Sequence, residues 1–136
     1  MRQVLDSFAG FDNFLVYLAI SLVLLATFVA LYVRITPHRE FQLIREGNMA
    51  AAFSLSGAIL GFIVPLSAAI RFSVNLADMA IWGLIALAVQ IAAFVVVRVM
   101  VPTITDDIVA GKAAQGFFLG TLSLGVGMLN GACMSF

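Results

Sequence analysis

The chain has 136 residues, of which 63% are hydrophobic and only 10% are charged. Because a soluble domain is about half apolar and about a quarter charged, this chain has too few polar groups to cover a water-facing surface. The composition therefore indicates an integral membrane protein. The formal net charge of zero gives no reason to expect nucleic acid as a partner.

Four apolar runs are long enough to cross a bilayer, since a helical span needs about 20 residues to cross about 30 Å of hydrocarbon. We therefore predict an all-α membrane protein with four transmembrane helices in a single domain over residues 1–136. The predicted spans are Phe14–Val33, Met49–Ile70, Met79–Val97 and Ala113–Phe136. The first run is longer than a typical signal-peptide core, so we interpret it as a span.

The loop after the first span has the pattern of a short interfacial helix. Thr36 is its predicted N-cap, Pro37 its first helical residue and Gly47 its left-handed stop. Phe41 and Ile44 are predicted to share its apolar face. The loop either rests on the lipid surface or docks a cytoplasmic partner. The residues predicted for docking are Arg39, Glu40, Arg45, Gly47 and Asn48.

The second span combines small residues with a proline. Gly57 and Gly61 lie on one helical face with Ser54 and allow another helix backbone to approach closely, which is how helices associate in lipid. Pro65 cannot donate to the Gly61 carbonyl, which predicts a kink and an oxygen that needs another donor. The kink is either a fixed bend or a hinge beside a hydrated path.

The third span carries Gln90 near its middle, and the fourth carries Asn130 toward its outer end. With Ser54 these are candidate polar-path residues, or else they form hydrogen bonds between helices. The fourth span also has small or polar residues at steps of three and four, a heptad-like pattern. They are Ala113, Gly116, Gly120, Ser123, Gly127 and Asn130. This face packs either inside one subunit or between subunits; because it is the more regular of the two, we expect it to hold a homo-oligomer together, with the Gly61 face inside the subunit.

The positive charges predict the orientation. The loops after the first and third spans hold Arg34, Arg39, Arg45, Arg98 and Lys112, whereas the leader and the outer loop hold Arg2 and Arg71. Cytoplasmic loops are enriched in Lys and Arg, so the five-to-two distribution predicts cytoplasmic first and third loops. Both termini are then periplasmic.

The two halves of the chain match at an offset of 64 residues. Arg34, Ile44 and Gly47 correspond to Arg98, Ile108 and Gly111. We interpret the chain as a parallel repeat of two helix-loop-helix hairpins, 1–70 and 71–136, in contrast to the inverted repeats common in transporters.

The string "LIREGNMAAAFSLSGAILGF", with "AIRFSVNLADMAIWG" beyond it, resembles the YjfL-type bacterial inner-membrane proteins, a family catalogued as a domain of unknown function. The resemblance extends from Arg34 to Phe136. Its most distinctive part is Ile44-x-x-Gly47-Asn48, and a weaker second copy has Lys112 in place of the asparagine. The resemblance implies a four-span inner-membrane protein with no established activity. It also suggests peripheral membrane proteins as partners, because genes for such proteins often lie near those of the family.

Catalytic groups are scarce. No acidic, basic or histidine residue lies deep in a predicted span, which disfavours a proton-coupled exporter. His38 and Cys133 are the only candidates for a base and thiol pair, and the predicted topology puts them on opposite sides of the membrane. We therefore expect no enzyme activity, no metal and no cofactor.

Two functions follow from these patterns. The first is a self-associating scaffold that binds partners, with the lipid bilayer, further copies of the chain and a cytoplasmic peripheral membrane protein as its contacts. The second is a small oligomeric channel or facilitator for an ion or neutral solute. A channel must gather Gln90, Ser54 and Asn130 on one wet face, whereas a scaffold can bury them separately.

Overall fold

The computed structural model describes residues 2–36 and 39–134, and this part of the chain is helical without a strand. Its helices are α1 (Arg2–Ala9), α2 (Phe11–Ile35), α3 (Glu40–Arg45), α4 (Met49–Phe72), α5 (Leu76–Met100), α6 (Ile104–Val109) and α7 (Ala113–Cys133). Four segments are long and apolar enough to span a membrane, namely α1 with α2, α4, α5 and α7. The predicted all-α fold with four apolar spans is therefore confirmed. Ser135 and Phe136, placed in the fourth span from the sequence, lie outside the described residues.

Helices α4 and α7 lie side by side and run in the same direction. We call the five glycines between them the glycine seam. At each of these positions an added Cβ atom would overlap backbone atoms of the opposite helix. The pairs are Gly57 with Gly120, Gly61 with Ser123, Gly116 with Ala50, Gly120 with Phe53 and Gly127 with Gly61. Only a residue without a side chain permits this approach, and close packing is the main attraction between helices in lipid.

The seam corrects the expectation that the fourth-span face joins subunits. Gly116, Gly120 and Gly127 are buried against α4 of the same chain. The two small-residue faces found in the sequence are therefore the two sides of one internal contact. A bulky residue at Gly120 is therefore expected to separate two helices of one subunit. It is not expected to dissociate an oligomer.

Pro65 lies inside α4, which is helical from Met49 through Phe72. The carbonyl of Gly61, which lacks the amide of Pro65 as a donor, lies where a Cβ atom of Gly127 would be. A Cα–H of Gly127 therefore points toward this oxygen and acts as a weak hydrogen-bond donor. Farther along, a Cβ at Gly131 would lie 3.4 Å from the Pro65 Cα, so α7 follows α4 past the proline.

Helix α2 is attached to the other helices by a single stripe of side chains. Leu24, Phe28 and Tyr32 are its buried residues, one per helical turn. Phe28 stacks on Phe62 of α4 at 4.7 Å between ring centroids, and Tyr32 contacts Phe94 of α5 at 4.9 Å. Most of the remaining residues of α2 are exposed in the described structure.

Helix segments 64 residues apart end in the same way. Both α3 and α6 have six residues and end in a Schellman motif, in which Gly47 and Gly111 adopt φ of 85° and 81°. In the first, Asn48 N–H donates to the Leu43 carbonyl; in the second, Lys112 N–H donates to the Asp107 carbonyl. Phe53 of α4 also meets its counterpart Phe117 of α7 edge-on at 5.7 Å.

The glycine seam predicts different effects for two neighbouring glycines of α7. Gly127→Ala adds a methyl group against Gly61, and overpacking of this kind costs about 1–3 kcal/mol of unfolding free energy. Gly125→Ala is the control, because nothing lies within 4 Å of its Cβ position. Both changes replace a helical glycine by alanine, so the difference between them isolates the packing term. Steric trapping of the reconstituted protein measures it, and equal stabilities would contradict the seam.

Candidate functional site

The loops that contain α3 and α6 meet beside the ends of α4 and α7. We call α3, α6 and the turns Glu46–Asn48 and Ala110–Lys112 the platform. The two turns are rigid because each is closed by the hydrogen bonds of its Schellman motif, around a glycine whose positive φ other residues rarely adopt.

Asn48 joins the two halves of the platform. Its Oδ1 accepts from the Ala51 amide at 3.0 Å and so caps α4. Its Nδ2 donates to the Ile108 carbonyl of α6 at 2.8 Å. One side chain therefore starts a membrane helix and holds the opposite loop in place.

Lys112, at the corresponding position of the second loop, does not do this. It makes no capping hydrogen bond to α7 and instead pairs with Asp107 at 3.2 Å. The structure thus gives the two copies different tasks, as the Asn-to-Lys difference in the sequence allows.

An open cleft of about 370 Å³ lies between the two turns. Met49 and Val109 are half exposed there and supply apolar surface. Glu46 and Lys112 are exposed beside it and supply one charge of each sign. The residues that line the cleft are Leu43, Glu46, Gly47, Asn48, Met49, Val109, Ala110, Gly111 and Ala113.

Three details of the first loop differ from the sequence prediction. Thr36 ends α2, because its amide donates to the Tyr32 carbonyl and its hydroxyl to the Val33 carbonyl. Helix α3 begins at Glu40 with Arg39 at the N-cap, while Pro37 and His38 lie outside the described residues. The third difference is that Glu40, at the start of α3, is buried.

Glu40, one of the predicted docking residues, is 0% exposed, whereas Phe41 is 50% exposed and lines an apolar groove along α2. Within the platform, Glu40 is the buried residue of α3. The Tyr32 hydroxyl is buried and makes no well-formed hydrogen bond with a described residue. Of the predicted docking residues, Arg39, Arg45 and Gly47 are exposed, Asn48 is partly buried and Glu40 is not accessible.

The polar residues of the spans do not all lie together. Gln90 is 4% exposed; its Nε2 donates to the Ser123 carbonyl at 3.1 Å, while its Oε1 has no partner among the described residues. Asn130 approaches the Ala86 carbonyl at 3.5 Å, and the Ser54 hydroxyl donates to the Ala51 carbonyl of its own helix. Gln90 lies beside Gly61 of α4. Ser54 precedes Gly61 by seven residues, a distance of about 10 Å along the helix. Ser54 is therefore separated from Gln90, whereas the Ala86 carbonyl that Asn130 approaches lies one turn of α5 from Gln90.

Metal-binding groups do not converge in the described residues, where no three His, Cys, Asp or Glu side chains lie close enough together to hold an ion. Cys133 is exposed, and His38, which the predicted topology placed on the other side of the membrane, lies outside the described residues.

Comparison with known proteins gives the family. A family model described as Domain of Unknown Function (DUF350) matches residues 5–134. The chain belongs to this family. The UPF0719 inner membrane protein YjfL of Escherichia coli (strain K12) is 38% identical over 133 residues, which are 98% of each chain. The UPF0719 transmembrane protein YshE of Bacillus subtilis (strain 168) is 23% identical over 118 residues, 85% of this chain and 88% of that one. No solved structure matches.

The resemblance to YjfL-type proteins is thereby confirmed. Together with the four candidate spans, these relatives identify the DUF350 chain as a multi-pass inner membrane protein.

Sequence reasoning missed Tyr32 and the burial of Glu40 in this DUF350 chain. A tyrosine near the end of a span is typical of the membrane interface, where its hydroxyl meets water. A glutamate in a charged loop is normally solvated. Neither residue carries a local signal that another helix and loop will cover it.

Asn48 provides a test of the platform. Asn48→Asp keeps a capping oxygen for α4 but loses the donor to Ile108, so α6 should open more often while the start of α4 stays closed. Loss of one hydrogen bond of about 0.5–1.5 kcal/mol predicts roughly two- to ten-fold faster amide hydrogen exchange in residues 104–112. Asn48→Ala should speed exchange in both segments, and Lys112→Ala should leave α4 unchanged. Unchanged exchange in α6 for both Asn48 variants would contradict the link between the loops.

Proposed function

We propose that this protein is a non-catalytic membrane scaffold that docks a peripheral membrane protein on its platform. The observation that carries the proposal is the side chain of Asn48, which joins two loops from distant parts of the chain. A surface fixed in this way loses little conformational entropy when a partner binds.

The cleft supports a protein partner in particular. Met49 and Val109 supply exposed apolar surface there, and Glu46 and the Lys112–Asp107 pair supply charges of both signs beside it, a combination typical of protein interfaces. The opposite charges of Glu46 and Lys112 give no excess of positive charge for nucleic acid. We infer that a partner inserts an apolar residue between Met49 and Val109 and contacts Arg39 and Arg45 at the edge.

The parallel repeat and the orientation belong to the same proposal. Matching Schellman turns and the Phe53–Phe117 contact support two equivalent hairpins, 1–70 and 71–136, within a single domain. The five-to-two distribution of Lys and Arg supports a cytoplasmic platform with both termini in the periplasm.

Reporter fusions test this orientation. A reporter inserted at Gln42 should be active only in its cytoplasmic form, and one fused after Phe136 only in its periplasmic form, because positive loops are retained on the cytoplasmic side. The opposite pattern would remove the platform from the cytoplasm and contradict the proposed class of partner.

Photocrosslinking in cells tests docking. A benzophenone side chain at Val109 should crosslink to one discrete protein. The same protein should then co-purify with the uncrosslinked scaffold. Val95 on α5 is the control position, since it is an exposed valine outside the platform. Asn48→Asp should reduce the Val109 adduct because it loosens α6. Equal capture at Val109 and Val95, or an adduct insensitive to Asn48, would contradict docking on the platform.

Self-association, expected from the sequence, has to use another surface, because the glycine seam is buried within one chain. Mass photometry of the protein in nanodiscs measures the number of subunits. The scaffold proposal holds for a monomer as well as for an oligomer.

The unpartnered Oε1 of Gln90 favours one alternative, a channel or facilitator whose solute accepts or donates hydrogen bonds in the middle of the membrane. Gln90→Leu distinguishes the two functions. If Gln90 only joins α5 to α7, the variant should lose about 0.5–2 kcal/mol of stability. Liposome flux of ions or small neutral solutes should then match that of protein-free vesicles for both proteins. A wild-type flux that the variant abolishes would instead support the channel.

A further inference from the structure

An apolar groove of about 680 Å³ runs along the open side of α2. Its wall is formed by side chains from Leu22 to Val33, with the small residues Ala26 and Ala30 at its floor. Phe41 of α3 overhangs one end, and Arg34 lies at the same end. We call this feature the α2 groove.

The geometry points to an anionic phospholipid as the occupant of the α2 groove, with one acyl chain along α2 and its phosphate at Arg34. The distance from Leu22 to Arg34 along the helix is about 18 Å at about 1.5 Å per residue. One leaflet of hydrocarbon is about 15 Å deep, half of the bilayer core. The groove therefore covers the depth of one leaflet and ends at the level of the lipid headgroups.

The charge at the end of the groove selects an anion. Arg34 is exposed and makes no side-chain hydrogen bond or ion pair within the described residues. A guanidinium group offers several N–H donors in the geometry that suits a phosphate.

The other arginine near this end of α2 does not line the groove. Arg98 Nη1 donates to the Ile35 carbonyl at 3.0 Å, which brings Arg98 from α5 to the residue that follows Arg34. Glu40, the acidic residue next to Phe41, is fully buried and is not exposed at the groove. Among the described residues that line the groove, Arg34 is therefore the charged one.

The same charge argues against a second copy of the chain as the occupant. In a twofold dimer the same patch is used by both subunits, so two α2 grooves would bring two Arg34 side chains toward each other. Repulsion between like charges is strong near a low-dielectric bilayer, and no described acid of the groove offsets it. An acyl chain can fill the apolar groove and, unlike a second copy of the chain, brings no second cation to Arg34.

Native mass spectrometry can test this site. The protein is released from nanodiscs that contain equal amounts of phosphatidylglycerol and phosphatidylcholine, and the lipids retained on it are counted. The wild type should retain phosphatidylglycerol preferentially. Arg34→Gln should reduce that preference about five-fold, the effect expected for one basic residue at a membrane surface. Arg45→Gln is the matched control, because Arg45 is exposed but does not line the groove.

The apolar part of the site needs its own variants. Ala30→Phe should fill the groove and lower retention of both lipids, while Ala88→Phe on the exposed side of α5 should not. Equal retention of the two lipids by the wild type, or no effect of Arg34→Gln, would overturn the anionic site. Loss of a crosslinked dimer in Ala30→Phe, with lipid retention unchanged, would also overturn it and assign the groove to a second copy.

Discussion

The contact between the backbones of α4 and α7 is the constraint on which the other features of this structure depend. In lipid, apolar surface gives helices no reason to associate, so attraction has to come from close packing and hydrogen bonds. The glycine seam supplies the packing. Gln90, which donates from α5 to the Ser123 carbonyl, attaches a third helix at the middle of the seam. Phe28 stacked on Phe62 attaches α2.

The seam also determines where the platform forms. Because α4 and α7 run in the same direction, their first turns lie together, and the loops before them meet on one side. The single side chain of Asn48 can then both cap α4 and hold α6. The weak attachment of α2 has the opposite consequence, since it leaves an apolar face with a cation at its end open to lipid.

Local sequence patterns predicted the spans, the glycines that end α3 and α6, and the closely packed small residues. Each of these features depends on residues that are near one another in the sequence. They did not reveal which helix each face meets. Gly120 was assigned to a subunit contact because its regular spacing is the same for an internal and an external partner. The burial of Glu40 was not predicted, because the six residues of α3 have too few turns to show which side another element covers. Burial of Tyr32 depends on α4 and α5, which are distant in sequence.

A disulfide test examines most directly whether the seam lies within one chain. Phe53→Cys and Phe117→Cys place two thiols on α4 and α7 where the native rings are 5.7 Å apart. Cys133, the only native cysteine, is replaced by serine in this experiment. Oxidation of the protein in membranes should give an intrachain bond, seen as a monomer with altered mobility at any protein density. A covalent dimer whose yield rises with protein density would show that α4 and α7 meet between subunits and would contradict the account.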